Sequence, residues 1–182
     1  MQRVVALKFG PVIPDDEAVT QPSRHIRTGE LERLLSQLRH AGFQSVSSRA
    51  FRAWQQGRRA LPERTVALTF DDGYASHLHV VAPLLLRYKF TGTFFVSLER
   101  IGQPGYLSWE QLRKLIFLKM EIGSHGVSDH ALTDLPRAQL VHELVQARED
   151  LQRQLGVPIQ AFSAPRGFWN PTVAQVGGAG RL

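Results

Sequence analysis

The sequence predicts an α/β protein built on a parallel sheet that is either open or closed into a barrel. Short β-prone runs alternate regularly with helical segments along the second half of the chain. One of these runs, residues 92–97, is almost continuously apolar, which is typical of a strand buried on both faces. The helical segments carry apolar residues three and four positions apart, so each has one face for a core.

The first half of the chain predicts two strands with a helix between them. Residues 4–9 read VVALKF and form the first predicted strand. Thr28 is the predicted N-cap of a helix whose leucines recur at i, i+3, i+4 and i+7. Gly42 ends this helix, and residues 43–47 return as a short extended segment.

The second half alternates more clearly. In chain order its predicted strands are 65–70 (TVALTF), 92–97 (GTFFVS), 120–124 (MEIGS) and 157–165 (VPIQAFSAP). Its predicted helices are 77–88, a helix capped by Ser108 with Gln111, and a long helix that opens at Asp134 and Pro136 and ends at Gly156.

Polar clusters follow three of these strands: Asp71–Asp72, Ser124–His125 and Pro165–Arg166. The carboxyl ends of parallel strands meet at one edge of a sheet, where side chains from different strands converge. The sequence therefore predicts an active site at this edge.

The adjacent carboxylates of Asp71 and Asp72 form the first candidate group. In isolation, Asp-Asp-Gly is typical of a turn, because Asp tolerates turn conformations and Gly73 supplies a positive φ. After a strand, the two side chains point in different directions, so one can bind a cation while the other stays free as a base. A divalent cation would also remove the repulsion between the two charges.

A second candidate group lies in residues 124–135, SHGVSDHALTDL. His125 and Asp129 are four residues apart, and His125 and His130 are five apart; in a loop either pair could act together. Ligands of nitrogen and oxygen, without any thiolate, suit Zn²⁺ or another divalent first-row metal.

The stretch SAPRGFWN (163–170) forms a third candidate group, either as a loop that packs two aromatic residues or as a glycine turn whose backbone N–H groups face an oxyanion. His77 and His79 follow the acidic pair closely and could extend the site, but a helix start that faces solvent explains them equally well.

Composition excludes several classes of protein. The 182 residues are 43% hydrophobic and 21% charged, as in a globular protein. The net charge of +6 comes mostly from arginines scattered through several segments, with no basic cluster interleaved with aromatic residues, so nucleic-acid binding is not expected. No apolar run approaches the length of a membrane span, and no cysteine is present.

Together these stretches resemble the polysaccharide deacetylases of the NodB-homology group, carbohydrate esterase family 4. The segments LTFDDGY, TGTFFV, LSWEQLRKL, EIGSHGVSDHALTDL and FSAPRG fit the family's motifs in order and spacing, over residues 31–176. The resemblance implies a distorted (β/α) barrel with fewer than eight strands. We expect residues 1–182 to form one such domain, incomplete at its C-terminal end, with an open barrel edge that an oligomer or a partner covers.

The resemblance also implies a metal-dependent hydrolase that removes acetyl groups, N-acetyl in the first place, from a polysaccharide or oligosaccharide. Asp71 would be the catalytic base, and Asp72 and His125 would bind the metal. The third ligand would be His130, with Asp129 as the alternative. The expected metal is Zn²⁺, with Co²⁺, Ni²⁺ and Mn²⁺ as alternatives. A backbone amide at or near Arg166 would steady the oxyanion.

Some positions depart from the family pattern. An ungapped alignment places Asp129 where the family has its second histidine, and His130 falls one residue late. Ser163 stands where an arginine usually orients the base, and no residue can be assigned as general acid. These departures leave a catalytically impaired relative, a module that binds a glycan or a partner, as the alternative function. The N-terminal segment has too few consecutive apolar residues for a signal peptide, which predicts a cytoplasmic protein that modifies envelope sugar precursors.

Overall fold

The computed structural model describes residues 4–18 and 25–177, in which strands and helices alternate. The strands are β1 (Val5–Phe9), β2 (Val12–Ile13), β3 (Ile26–Arg27), β4 (Gln44–Val46), β5 (Thr65–Phe70), β6 (Thr93–Val96) and β7 (Glu121–Ser124). The helices are α1 (Thr28–His40), α2 (Ser48–Gln55), α3 (Ala82–Arg87), α4 (Trp109–Phe117), α5 (Arg137–Val141), α6 (Ala147–Leu155) and α7 (Pro171–Gly177). Two π-helical turns, His77–Val81 and His142–Gln146, lead into α3 and α6.

The main sheet is parallel in every pairing, which confirms the predicted fold class. Its order is β1-β5-β6-β7, and β4 pairs with the first half of β5. Strands β2 and β3 form a separate parallel pair. Within the described residues β1 and β7 are the two ends of the hydrogen-bonded path, so this part of the sheet is open.

The central strands are apolar because both of their faces are covered. Val66, Leu68 and Phe70 of β5 have no exposed surface, and Phe94 of β6 stacks on Phe70 with ring centroids 5.0 Å apart. Helices α1, α3, α4 and α6 contribute leucines to the same core. A smaller cluster, Leu132, Leu140, Leu144 and Val173, lies under α5 and α7.

The predicted helix boundaries are close to those observed. Ser108 caps α4 in a capping box with Gln111, and Gly156 ends α6 with a left-handed φ of 69°. Thr28 is the first residue of α1 and not its cap; its hydroxyl donates to the carbonyl oxygen of Ile13, and Arg27 occupies the cap position. Helix α2, which begins after the capping hydroxyl of Ser47, was not predicted because arginine and glutamine interrupt its apolar pattern.

The predicted strand at 157–165 is wrong for most of its length. Its pairing is a single parallel bridge between Phe162 and Ser124. Pro158 has no N–H to donate, and the N–H of Ile159 donates to the side chain of Gln152 on α6 instead of to a strand. The segment therefore joins the sheet only at its far end, beside β7.

The carboxyl ends of the main strands meet at one edge, as predicted. The N–H of Asp71 donates to Phe9 O, 2.9 Å away, and so continues the pairing of β5 with β1. The N–H of His125 donates to Val96 O at 2.9 Å, and the N–H of Ser163 donates to Ser124 O at 3.0 Å. These backbone bonds fix the starting points of the three polar segments relative to one another.

Within residues 4–18 and 25–177, no helix has the length and apolar composition that a membrane crossing needs. The assignment of residues 1–182 to a single domain stays a prediction.

Candidate active site

Asp71 is the most buried acidic side chain at this edge, with 4% of its surface exposed. Its Oδ2 lies 2.5 Å from Nζ of Lys8 on β1 and accepts a hydrogen bond of 3.3 Å from the hydroxyl of Ser163. Its Oδ1 is also buried and has no hydrogen-bond partner among the described residues. One oxygen is therefore held by a cation and a hydroxyl, while the other has its lone pairs free.

Lys8 reaches Asp71 because of strand register. It lies opposite Thr69 in the β1–β5 pairing, two residues before Asp71. Residues two apart on a strand share a face, so a side chain at this register points toward the same side of the sheet as Asp71. The charged partner of this carboxylate thus comes from the neighbouring strand.

Asp72 follows in a different backbone conformation. Its φ is +72°, in the left-handed region, and Gly73 continues the turn with a φ of +75°. A Cβ on Gly73 would lie 2.9 Å from the Val96 side chain, so the turn packs too closely against β6 for a larger residue. This turn directs the Asp72 carboxylate away from Asp71 and toward Arg100, whose Nη1 lies 2.8 Å from its Oδ1.

His125 faces both carboxylates from the end of β7. Its Nε2 is 3.7 Å from Asp72 Oδ1 and 4.0 Å from Asp71 Oδ2. The ring is buried, with 2% of the residue exposed, and its Nδ1 has no hydrogen-bond partner among the described residues. Asp71, Asp72 and His125, which the sequence predicted to act together, are therefore brought together.

Arg100 is the central cation of this site. It ends the 3₁₀ turn Leu98–Arg100, which is joined to the segment after β7 by a hydrogen bond from Leu98 N to Gly126 O. The guanidinium contacts Asp72 through Nη1 and Asp129 through Nη2, the latter at 3.2 Å. The guanidinium carbon, Cζ, also lies 5.2 Å from the ring centroid of Tyr106. Arg100 thus connects two of the predicted metal ligands to each other.

The electrostatics of the site follow from these contacts. Burial opposes the charge of Arg100 and lowers its pKa, but Asp72, Tyr106, Asp129 and Tyr74 together outweigh burial, so the pKa of the guanidinium is raised. Tyr74 directly follows the Asp72–Gly73 turn. Burial, together with the negative charge of Asp72, raises the pKa of its phenol. Both groups therefore keep their ordinary protonation state at neutral pH, Arg100 as a cation and Tyr74 neutral.

The structure does not bring His130 to the other predicted ligands. His130 is exposed, and its Nδ1 lies 2.7 Å from the hydroxyl of Ser128, which itself donates to Glu143. Glu143 is buried and also accepts the backbone N–H groups of Val127 and Ser128, which fixes the loop. In this fixed loop it is Asp129, the alternative ligand, that lies on the side of Asp72 and Arg100.

Arg166 lies near Asp129 and not near Asp71. It belongs to the turn Pro165–Gly167, where it has a left-handed φ of +58°. Its Nε is 3.6 Å from Asp129 Oδ1, and more than half of its side chain is exposed. Arg166 therefore does not replace the arginine that would orient the base; Lys8 and Ser163 make those contacts with Asp71. The role predicted for the Arg166 backbone stays a prediction.

The described residues fit a divalent cation in part. Two ligands that share a cation through bonds of about 2.1 Å lie roughly 3–4 Å apart. The 3.7 Å between His125 Nε2 and Asp72 Oδ1 meets this condition, and nitrogen and oxygen donors suit Zn²⁺. A complete set is not formed, because no group of three ligating side chains is close enough among residues 4–18 and 25–177.

Lys8 and Arg100 were not singled out in the sequence. Lys8 is the one charge in an otherwise apolar strand, and Arg100 ends the 3₁₀ turn that follows β6, so a search for charged residues in the segments after strand ends could have included Arg100. The environment of His77 also differs from the expected one, a helix start that faces solvent. It is fully buried among aromatic rings, where desolvation lowers its pKa to about 4, and its Nε2 lies 3.3 Å from Gly10 O.

A parallel sheet with a buried carboxylate and an Asp–His pair at its carboxyl edge defines an α/β domain whose candidate active site lies at the strand ends. Residues 58–179 match the polysaccharide deacetylase family, and the chain belongs to this family. The resemblance stated for the sequence and the predicted fold class are thereby confirmed.

Individual relatives support this assignment. A poly-beta-1,6-N-acetyl-D-glucosamine N-deacetylase of Escherichia coli (strain K12) is 29% identical over 132 residues, which cover 64% of this chain. The matched region is 20% of that relative, so the chain spans about a fifth of its length.

Solved structures share the fold. IcaB from Ammonifex degensii superposes with a TM-score of 0.84 at 25% identity, covering 97% of this chain and 79% of the other. The Streptococcus pyogenes deacetylase PplD, determined in complex with acetate, gives a TM-score of 0.85 with the same coverage of both chains. At 20% identity the second comparison shows the likeness of the fold.

Proposed function

We propose that this chain hydrolyses N-acetyl groups on a polysaccharide of N-acetylated amino sugars, with Asp71 as the catalytic base. The observation that carries the proposal is the arrangement of Asp71: buried, ion-paired through Oδ2 with Lys8, and free of partners at Oδ1 among the described residues. The family of the chain and the named activity of its E. coli relative support the choice of substrate.

Asp71 can take a proton without losing its position. Lys8 and Ser163 hold one carboxylate oxygen, so the other keeps a fixed position and has no hydrogen-bond partner among the described residues. A water molecule at Oδ1 gives its proton to the carboxylate, and its oxygen attacks the acetyl carbonyl carbon. The carbon–nitrogen bond then breaks, the acetyl group leaves as acetic acid, which ionises to acetate in water, and the proton held by Asp71 passes to the sugar nitrogen to give the free amine.

We further propose that a divalent cation, Zn²⁺ in the first place, binds at Asp72 and His125. When bound there, such a cation polarises the acetyl carbonyl and lowers the pKa of a coordinated water. The chain's own contribution is a buried imidazole and a carboxylate at the spacing of two ligands of one ion. The removal of bound metal by a chelator is expected to abolish acetate release, and added Zn²⁺ to restore it.

The substrate side of the site is formed by the segment after Phe162. Phe168 and Trp169 are exposed large apolar residues directly after the Arg166 turn. Exposed aromatic rings beside a polar site offer an apolar face for a sugar ring. We expect the acetylated glycan to contact these two residues.

The experiment that tests the function is acetate release from β-1,6-linked N-acetylglucosamine oligomers. Asp71→Asn keeps the shape of the side chain but removes the base, so we expect the turnover number to fall by about 10²–10⁴. Asp134→Asn is the matched control, because Asp134 lies on a 3₁₀ turn away from Asp71 and contacts Thr133. Unchanged acetate release by folded Asp71→Asn would contradict the proposed role of Asp71.

A glycan-binding module without catalysis is the second candidate function. It is favoured by the position of His130, which faces Ser128, and by the contact of Asp129 with Arg100. Under this alternative the wild-type chain binds the same oligomers but releases no acetate with any divalent metal. Measuring binding and acetate release on the same preparation separates the two candidates.

A further inference from the structure

We propose that Arg100 is a built-in competitor for the metal site: its guanidinium occupies the space between Asp72 and Asp129, and a divalent cation binds only when Arg100 moves away. This inference rests on the proposed function, since it concerns the same site. It does not depend on the identity of the substrate.

The contacts of Arg100 give the first argument. Asp72 and Asp129 both direct an oxygen at the same guanidinium, at 2.8 Å and 3.2 Å. The planar guanidinium fork suits two carboxylates at once, and these charge-assisted hydrogen bonds fix the separation of the two side chains. Arg100 thus bridges Asp72 and Asp129. If both carboxylates were ligands of one metal ion, the ion would bridge them instead.

The charge of the site gives the second argument. A divalent cation would compensate the charges of two adjacent carboxylates, but the chain already supplies cations that do so. Lys8 pairs with Asp71, and Arg100 pairs with both Asp72 and Asp129. A divalent cation bound between these carboxylates would lie close to the positive charge of Arg100, which would repel it.

The anchoring of Arg100 gives the third argument. Its 3₁₀ turn is tied to the loop after β7 by the N–H groups of Leu98 and Glu99, which donate to Gly126 O and Val127 O. Less than a quarter of the Arg100 side chain is exposed, and its guanidinium packs on Tyr106. The position of Arg100 in the site is therefore fixed by its backbone and by its side-chain packing.

The test is a calorimetric titration of the full chain with Zn²⁺ alone, without any glycan. Arg100→Gln removes the competing charge and frees both carboxylates, so we expect Zn²⁺ to bind about tenfold tighter or more than to wild type. Arg153→Gln changes the net charge equally at an exposed position on α6, where Arg153 pairs with Asp150. We expect this matched control to bind Zn²⁺ as the wild type does.

A second variant covers the case in which Arg100→Gln does not fold. Arg100→Lys keeps a positive charge, but an ammonium cannot form the two-pronged contact with both carboxylates. We expect its Zn²⁺ affinity to lie between those of wild type and Arg100→Gln. Circular dichroism with thermal melting checks the fold of every variant before titration.

Two results would overturn the inference. One is equal or weaker Zn²⁺ binding by the folded Arg100 variants compared with wild type. The other is the absence of binding by all of the proteins up to millimolar Zn²⁺, because Arg100 would then not be what limits binding. Neither result depends on acetate release, so failure of this inference is distinguishable from failure of the proposed deacetylase function.

Discussion

Asp71 and Asp72 are adjacent in the chain, yet the first continues the β1–β5 pairing and is buried, while the second has a left-handed φ and a side chain that is 21% exposed. Each has its own cation, Lys8 for Asp71 and Arg100 for Asp72. The difference shows how two chemically identical side chains acquire different surroundings: one change in backbone conformation directs them to different partners. The buried carboxylate suits a base, and the more exposed one suits binding an exchangeable ion.

The largest expected effect separates the two residues directly. Asp71→Asn is expected to abolish most acetate release while leaving Zn²⁺ affinity within about threefold, because Asp71 is not a proposed ligand. Asp72→Asn is expected to weaken Zn²⁺ binding by about tenfold or more, since a ligand is lost. Titration calorimetry and acetate release on both variants test this division. If both variants lost Zn²⁺ affinity equally, the two carboxylates would share one task.

The second prediction concerns the packing behind Asp71, where His77 lies edge-on to Phe70 with ring centroids 5.7 Å apart. Burial keeps His77 neutral by lowering its pKa from 6.5 to about 4. The unfolded chain binds a proton at the higher pKa, so His77 leaves stability unaffected above pH 6.5 and lowers it as the pH falls toward 4. The difference between the two pKa values of His77, in the unfolded and the folded chain, corresponds to about 3 kcal/mol of unfolding free energy.

Denaturant unfolding between pH 7.5 and 4 measures this loss. His77→Phe keeps the aromatic packing and removes the titrating group, so its stability should fall less steeply over the same range. His79→Gln is the control, because His79 is exposed and contacts Gln111 instead of the core. If His77→Phe had the pH dependence of wild type, the acid sensitivity would arise elsewhere.

The fold and part of the candidate site were predictable from the sequence because they depend on local patterns. Burial on both faces produces the apolar runs of β5 and β6, and polar residues directly after a strand end must lie at the sheet edge. Asp71, Asp72 and His125 were found in this way. The partners of these residues depend on register and on loop conformation, which the sequence does not display.

Lys8, Arg100 and His130 illustrate that limit. Lys8 reaches Asp71 only because of the particular register of β1 against β5. His130 is turned away because Glu143, thirteen residues later, holds the loop through Ser128. Arg100 lies 29 residues before Asp129 and belongs to none of the candidate groups of the sequence, so only the folded structure shows that it joins Asp129 to Asp72.

The third prediction tests the turn that sets Asp72 apart. Gly73→Ala places a methyl group 2.9 Å from the Val96 side chain and forces a side chain into a left-handed backbone. We expect a loss of about 2 kcal/mol in unfolding free energy. Gly57→Ala is the matched control: Gly57 also has a positive φ, but nothing lies within 4 Å of its added Cβ. Equal losses in the two variants would show that backbone strain alone, without the contact with β6, sets the cost.

The smallest expected effect concerns Lys8, the cation of the buried carboxylate. Lys8→Met leaves Asp71 with only the Ser163 hydroxyl on Oδ2, so the base loses part of its orientation. More than half of the Lys8 side chain is exposed, which weakens the ion pair, and we expect kcat to fall by about tenfold with little change in KM. Under the proposed function Lys8 would act through Asp71, as a positioning residue.

The conservative variant decides whether charge or packing is responsible. Lys8→Arg keeps the positive charge beside Asp71 and should recover most of the activity, whereas a packing role would be served as well by methionine. Lys114→Met, at an exposed position on α4, controls for the loss of one positive charge. If Lys8→Arg were as slow as Lys8→Met in folded protein, the ammonium itself would be needed, as a donor to substrate or water rather than as the counterion of Asp71. Steady-state acetate release at several substrate concentrations gives kcat and KM separately, and so distinguishes a weakened base from weakened glycan binding.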